Sequence, residues 1–227
     1  MLFCKTQLVL KQFSIPNNPL FTCLIPTNRY RILLMDKNSE TKDFILNTAT
    51  KLFAAKGFEG VGVQEICTES KITKPTLYYY FGSKTGLLSA IIQEKGSDFL
   101  NTLQFASKYI GDFTRSLTKI LESTIDFAEE NPDFYRLHCT LKAASTDSEA
   151  GKLYEPFFEK IQQLFAKFFL SSSNEIGNMR GKEILYSGIF LQTSQSVALD
   201  VIQKRLEKND AMIFSVIHSF VYGVVTG

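Results

Sequence analysis

An all-α protein is what this sequence predicts, and three observations carry the expectation. From Ser39 onward apolar residues recur at three- and four-residue spacings, and no stretch alternates apolar and polar with a period of two. The periodic segments are also punctuated by Gly57, Thr73-Lys74-Pro75, Ser83 and Asn131-Pro132, residue types that start and stop helices. With 227 residues, 44% of them hydrophobic and 21% charged, the chain can bury one substantial core plus a small satellite domain.

Residues 1–34 differ from the rest of the chain: they hold Pro16, Pro19 and Pro26, show no amphipathic period, and carry no apolar run with a small-residue cleavage site. Met35 is read as the biological initiator, with residues 1–35 a disordered or non-native leader. Ser39 then caps the first helix, Glu40 and Asp43 occupy its first turn, and Ile45, Ala49, Leu52 and Phe53 form its apolar stripe up to Gly57.

A second helix begins near Gly62 or Val63 and buries Val63, Ile66 and Cys67, with Gln64, Glu65 and Thr68 outward. Lys71 to Thr73 form a tight turn, and Thr73 caps a third helix that has Pro75 in its first turn, where a missing N–H costs little. At 100° per residue Leu77 and Phe81 share the inner face, which leaves Lys74, Pro75, Thr76, Tyr78 and Tyr79 on the outer arc and Tyr80 at the flank. Three consecutive tyrosines point in three directions, so at least two reach solvent or a ligand.

Ser83 caps a fourth, long connector helix carrying Leu87, Leu88, Ile91, Ile92, Phe99 and Leu103 into a larger helical body. Asp112 or Gly111 starts a fifth helix, Asn131-Pro132 breaks it and opens a sixth, and further helices run through residues 152–170, 182–205 and 210–227. Residues 211–226 are apolar but short of the roughly 18 residues a membrane span needs, and contain Ser215, His218 and Ser219.

The net charge of +2 excludes general polyanion binding: the four basic residues of positions 1–35 set aside, 21 basic face 23 acidic residues. Between Lys71 and Lys84, however, stand three lysines and no acid. A short helix offering Lys, Thr and Tyr beside a local positive patch suits the major groove of DNA. There tyrosine hydroxyls donate to phosphates, threonine and proline carbons pack on thymine methyls, and lysine reaches guanine. The same outer face is also compatible with a protein-docking surface.

The run from Thr41 to Leu88, with VQEIC and ITKPTLYYYFGSKTGLL at its heart, resembles the DNA-binding domain of TetR-family transcriptional regulators. The resemblance implies that Gln64, Thr73, Lys74, Pro75, Thr76, Tyr78 and Tyr79 face DNA and that Tyr80 and Lys84 hold phosphates. It also implies residues 36–84 as the helix-turn-helix domain and 85–227 as an effector-binding and dimerisation domain. The last two helices would build a homodimer that reads a near-palindromic operator in the cytoplasm, in most cases as a repressor. An inducer neighbourhood lined by Phe127, Phe134, Tyr135, His138, Phe157, Phe158 and Phe165 would take an unidentified small, apolar or aromatic effector. Three positions depart from the family pattern: Val61 and Gly62 replace hydroxyl residues, and Lys71 stands where the turn has glycine.

No metal site or disulfide framework is expected, because Cys4, Cys23, Cys67 and Cys139 lie far apart and only His138 and His218 could supplement them. Catalysis is not expected either. No G-x-S-x-G element is present, the acids show no paired spacing, and no cofactor is implied.

Overall fold

In a computed structural model, residues 27–173 and 179–225 are described. Two compact units divide the chain, residues 1–41 and 42–227. The described part of the first is the opening of helix α1 (Thr27–Lys56). In the second, α1 is succeeded by α2 (Val63–Glu69), α3 (Lys74–Phe81), α4 (Lys84–Ala106), α5 (Phe113–Glu130), α6 (Pro132–Lys142), α7 (Glu149–Ser172), α8 (Glu183–Ile202) and α9 (Asp210–Phe220), with a π-helical turn at Val221–Val225. Among the described residues there is no strand.

α1 departs from the expected start. Ser39 lies inside it and caps nothing, because the Thr27–Asn38 stretch after Pro26 contains Leu33, Leu34, Met35 and two arginines and no helix breaker. The leader expectation for residues 1–26 falls outside the described residues, and residues 27–35 are helical.

The later boundaries obey local chemistry. The Thr73, Ser83, Asp112, Ser148 and Asn209 side chains each accept a hydrogen bond from the backbone N–H three residues on. Asn131-Pro132 separates α5 from α6. α8 stops at Ile202, short of the expected Arg205: Lys204 adopts a φ of 59°, its N–H bonds Val201 O at 2.9 Å, and Arg205 N–H bonds Asp200 O at 2.9 Å. This pair of bonds closes a helix end on a left-handed residue. α9 ends as an α-helix at Phe220, and residues 226–227 lie outside the described part.

α5 is buried along a continuous stripe, Leu117, Ile120, Leu121, Ile125 and Ala128, and packs against α4, α6, α8 and α9. α4 joins the α2–α3 unit to this body; its Leu87, Leu88, Ile91, Phe99 and Leu103 are all buried. Gly96 of α4 lets α7 approach closely, since a Cβ there would stand 2.9 Å from the Phe157 ring.

Candidate nucleic-acid interface

The α2–α3 unit is held by an apolar floor. Ile66 and Cys67 of α2 and Leu77 of α3 are buried together with Phe53, Phe58 and Val61. Gly62 caps α2 with extended backbone and no side-chain bond, as glycine must. The turn is a Schellman-type closure: Lys71 has a φ of 52°, its N–H bonds Thr68 O at 3.1 Å, and Ile72 N–H bonds Cys67 O at 2.9 Å. A lysine takes the left-handed position here, where the family turn has glycine, and the backbone is strained for it.

α3 starts on Thr73, whose Oγ1 accepts from Thr76 N–H at 3.4 Å and lies 2.9 Å from Thr76 Oγ1. Behind the helix Leu77 is fully buried; in front, Tyr78 is 46% and Tyr79 77% exposed. Lys74 and Pro75 are exposed and Thr76 is half-buried. Gln64, on α2, is exposed on its own turn. Gln64, Lys74, Pro75, Tyr78 and Tyr79 thus all reach solvent. Tyr80 is half-buried against the core, its ring edge-on to Tyr79 at 5.1 Å.

Lys84 does something other than expected. Its ammonium is turned back onto the α1–α2 loop, donating to the carbonyls of Phe58 at 3.0 Å and Val61 at 3.2 Å, and it sits 4.1 Å over the Phe58 ring. In this structure the side chain staples the α1–α2 loop to the first turn of α4. The loop Gly57–Gly62 carries no side-chain hydroxyl, and Lys84 supplies the side-chain donor to those two carbonyls. Ser83 Oγ accepts from Gly86 N–H at 2.9 Å, and Thr85 Oγ1 donates to Glu149 Oε1 at 2.5 Å, tying the start of α4 to α7.

In the body, six of the seven residues expected around an inducer gather in one aromatic cluster about Phe99 and Tyr154. Phe99 stacks on Phe127 at 4.7 Å and meets Tyr135 and His138 edge-on, Phe127 meets Phe134, and Tyr154 contacts His138, Phe157 and Phe158. Phe165 lies apart, against Phe190. These rings fill their own space by touching one another, which is core packing.

His138 at the centre is fully buried and hydrogen-bonded on both nitrogens, Nδ1 to the Tyr154 hydroxyl at 2.6 Å and Nε2 to the Gln195 amide nitrogen at 3.0 Å. Gln195 Oε1 in turn accepts from Lys142 at 2.5 Å. With its oxygen so engaged, Gln195 presents N–H to His138, so Nε2 accepts and the ring proton sits on Nδ1, donating to Tyr154. Burial first, and the Lys142 charge second, lower the His138 pKa to about 3. Burial pushes the Tyr154 hydroxyl up and the Cys139 thiol up to about 11. Sequence reasoning singled out His138 but neither Gln195 nor Lys142, and Gln195 lies 57 positions from His138 with no motif to announce it.

Residues 45–91 match a family model described as bacterial regulatory proteins, tetR family. The chain is 29% identical over 98 residues to the HTH-type transcriptional activator FasR of Mycolicibacterium smegmatis, covering 43% of this chain and 45% of that protein. It is 28% identical over 100 residues to the HTH-type transcriptional repressor NicS of Pseudomonas putida, covering 44% and 47%. The chain thus spans about half the length of these curated relatives. In fold it is similar to a TetR-like transcriptional regulator from Rhodococcus sp. RHA1, with a TM-score of 0.66, 21% identity, and coverage of 82% of this chain and 96% of the other.

Proposed function

Through residues 45–91 this chain is a member of the TetR family of bacterial regulatory proteins, and on that premise we propose that it is a sequence-specific DNA-binding transcriptional regulator. The observation that carries the reading is the two-sidedness of α3: Leu77 sealed in the core, Tyr78 and Tyr79 turned to solvent beside Lys74. A helix fixed by its apolar back presents aromatic hydroxyls and an ammonium in the arrangement that a major groove accepts. Gln64 and Thr73 to Thr76 extend that face, Tyr80 flanks it, and the first turn of α4 offers backbone N–H groups to a phosphate.

One recognition helix reads only a few base pairs, so useful specificity requires two copies at fixed spacing. The exposed Ile184 and Leu185 of α8, Phe214 of α9 and Tyr222 in the turn after it supply an apolar face for a homodimer, and a two-fold dimer reads a near-palindromic operator. The regulator acts on DNA in the cytoplasm; among the described residues no helix is long and apolar enough to cross a membrane. Repression is the mode proposed, relieved by a small effector bound in the helical body. Such an effector loosens DNA binding only as far as it prefers the state in which α4 holds the two α3 helices out of register.

In vitro selection of duplexes by the purified full-length protein tests this reading. Enrichment of a two-fold symmetric motif, with affinity lost in Tyr79→Ala, is the expected result. A protein that enriches no motif is not a sequence-specific regulator.

A further inference from the structure

A cleft of about 280 Å³ opens on α6 and α8, with Lys142, Gln192, Gln195 and Ser196 as its polar lining and Cys139 and Leu199 among its apolar walls. Lys142 is half-buried there. Its ammonium donates to the side-chain oxygens of Gln192 and Gln195 and stands 5.3 Å from the centre of the Phe158 ring. All three partners are neutral, and among the described residues no carboxylate comes within ion-pair distance of it. A cation partly withdrawn from water is ordinarily matched by an anion. Here dipoles and a ring meet the charge, two of three N–H donors are used, and burial lowers the ammonium's pKa.

We propose that this cleft binds a small monocarboxylate, its carboxylate paired with Lys142 and its short apolar body resting on Leu199 and Cys139. This rests on the regulator function and names the chemical class of the effector. One unneutralised charge calls for a monoanion, and the space holds the equivalent of roughly nine waters, enough for an acid of a few carbons. The Ser196 hydroxyl, exposed on α8, supplies a donor for the second carboxylate oxygen.

The cleft is linked to α4 by two hydrogen bonds and one ring contact. Lys142 fixes the Gln195 amide, Gln195 fixes the His138 tautomer, and the His138 ring packs edge-on against Phe99 of α4 at 5.2 Å. A carboxylate that draws Lys142 off Gln195 frees the amide to turn over. An amide oxygen facing Nε2 then requires the proton on Nε2, and Tyr154 becomes the donor to Nδ1. Ligand occupancy is thereby converted into a rearranged bond next to the helix that enters the α2–α3 unit.

Calorimetric titration of the full-length protein without DNA tests the site, using acetate, butyrate and hexanoate, the matched primary amides, and inorganic phosphate at fixed pH and ionic strength. Saturable binding of one carboxylate per chain is expected, with the matched amide at least about tenfold weaker and Lys142→Met at least about tenfold weaker than the wild type. Backbone NMR shifts on saturation should centre on Cys139, Gln192 and Leu199, and the His138 ring nitrogens should move in the wild type alone. Should Lys142→Met melt early, Lys142→Gln takes its place and the wild-type shift map stands independently. Absence of binding across the series, equal binding of the amides, binding that survives the neutral substitution, a shift map centred elsewhere, or phosphate outcompeting every carboxylate each overturns the proposal. A protein that takes the carboxylate but enriches no DNA motif keeps this site and loses the regulator function; the reverse pair of results does the opposite.

Discussion

The Nδ1 nitrogen of His138 and the hydroxyl of Tyr154 lie 2.6 Å apart, sealed from solvent between α6 and α7. The bond joins two helices through atoms that have no water to turn to, and its loss leaves the other partner unsatisfied in the core. Tyr154→Phe is therefore expected to cost about 1–3 kcal/mol of folding stability by urea denaturation. A variant as stable as the wild type would mean that the pair contributes nothing net.

The same histidine sets a pH dependence. Its folded pKa of about 3 lies below the ordinary value of 6.5, so between those values the unfolded chain binds the proton and the native chain does not. Stability is complete above about pH 6.5 and falls as pH drops toward 3, by at most about 1.4 kcal/mol per pH unit from this group. Denaturation curves from pH 7 to 4 should show the decline, and His138→Gln should flatten it.

On α3 the two faces separate by experiment. Tyr79→Ala, at a side chain 77% exposed, should leave the melting temperature within error and cost about 1–3 kcal/mol of affinity for a selected duplex. Leu77→Ala, at a fully buried side chain, should cost about 2–5 kcal/mol of stability. Equal effects of the two on folding would place Tyr79 in the core.

Lys74 and Lys84 are both cations of the same patch with opposite fates. Lys74 is exposed, and Lys74→Ala should lower the slope of log affinity against log salt by about 0.9 if it neutralises one phosphate. Lys84 is committed to the Phe58 and Val61 carbonyls, so Lys84→Met should lower stability and leave that slope nearly unchanged. A slope reduced in the Lys84 variant, measured by fluorescence anisotropy across salt, would return it to the phosphate.

At the turn, Lys71 holds a left-handed φ of 52° without glycine's freedom. Lys71→Gly should stabilise the fold by about 1 kcal/mol in chemical denaturation. If glycine destabilises instead, the lysine side chain contributes more than the strain it causes.

Much of the fold was legible in the sequence because helix signals are local. Thr73, Ser83 and Asp112 cap the helices they precede, Asn131-Pro132 breaks where a proline must, and the i, i+4 pair Leu77 and Phe81 fixed which side of α3 faces inward. Where local signals competed, the weaker one misled. A good cap at Ser39 lost to a preceding stretch with no helix breaker, and the end of α8 was set by a left-handed lysine that no glycine marked.

The sequence by itself determined an all-helical chain, the outward arc of α3 and the tight turn over Lys71 to Thr73, since each depends on residues within a few positions of one another. Only the tertiary structure decided that Lys84 serves carbonyls 23 and 26 positions away, that the expected inducer aromatics pack on one another, and that Lys142 and Gln195 meet at His138. Those pairings arise from how helices cross in space, and a hydrogen bond between distant positions leaves no periodic trace along the chain.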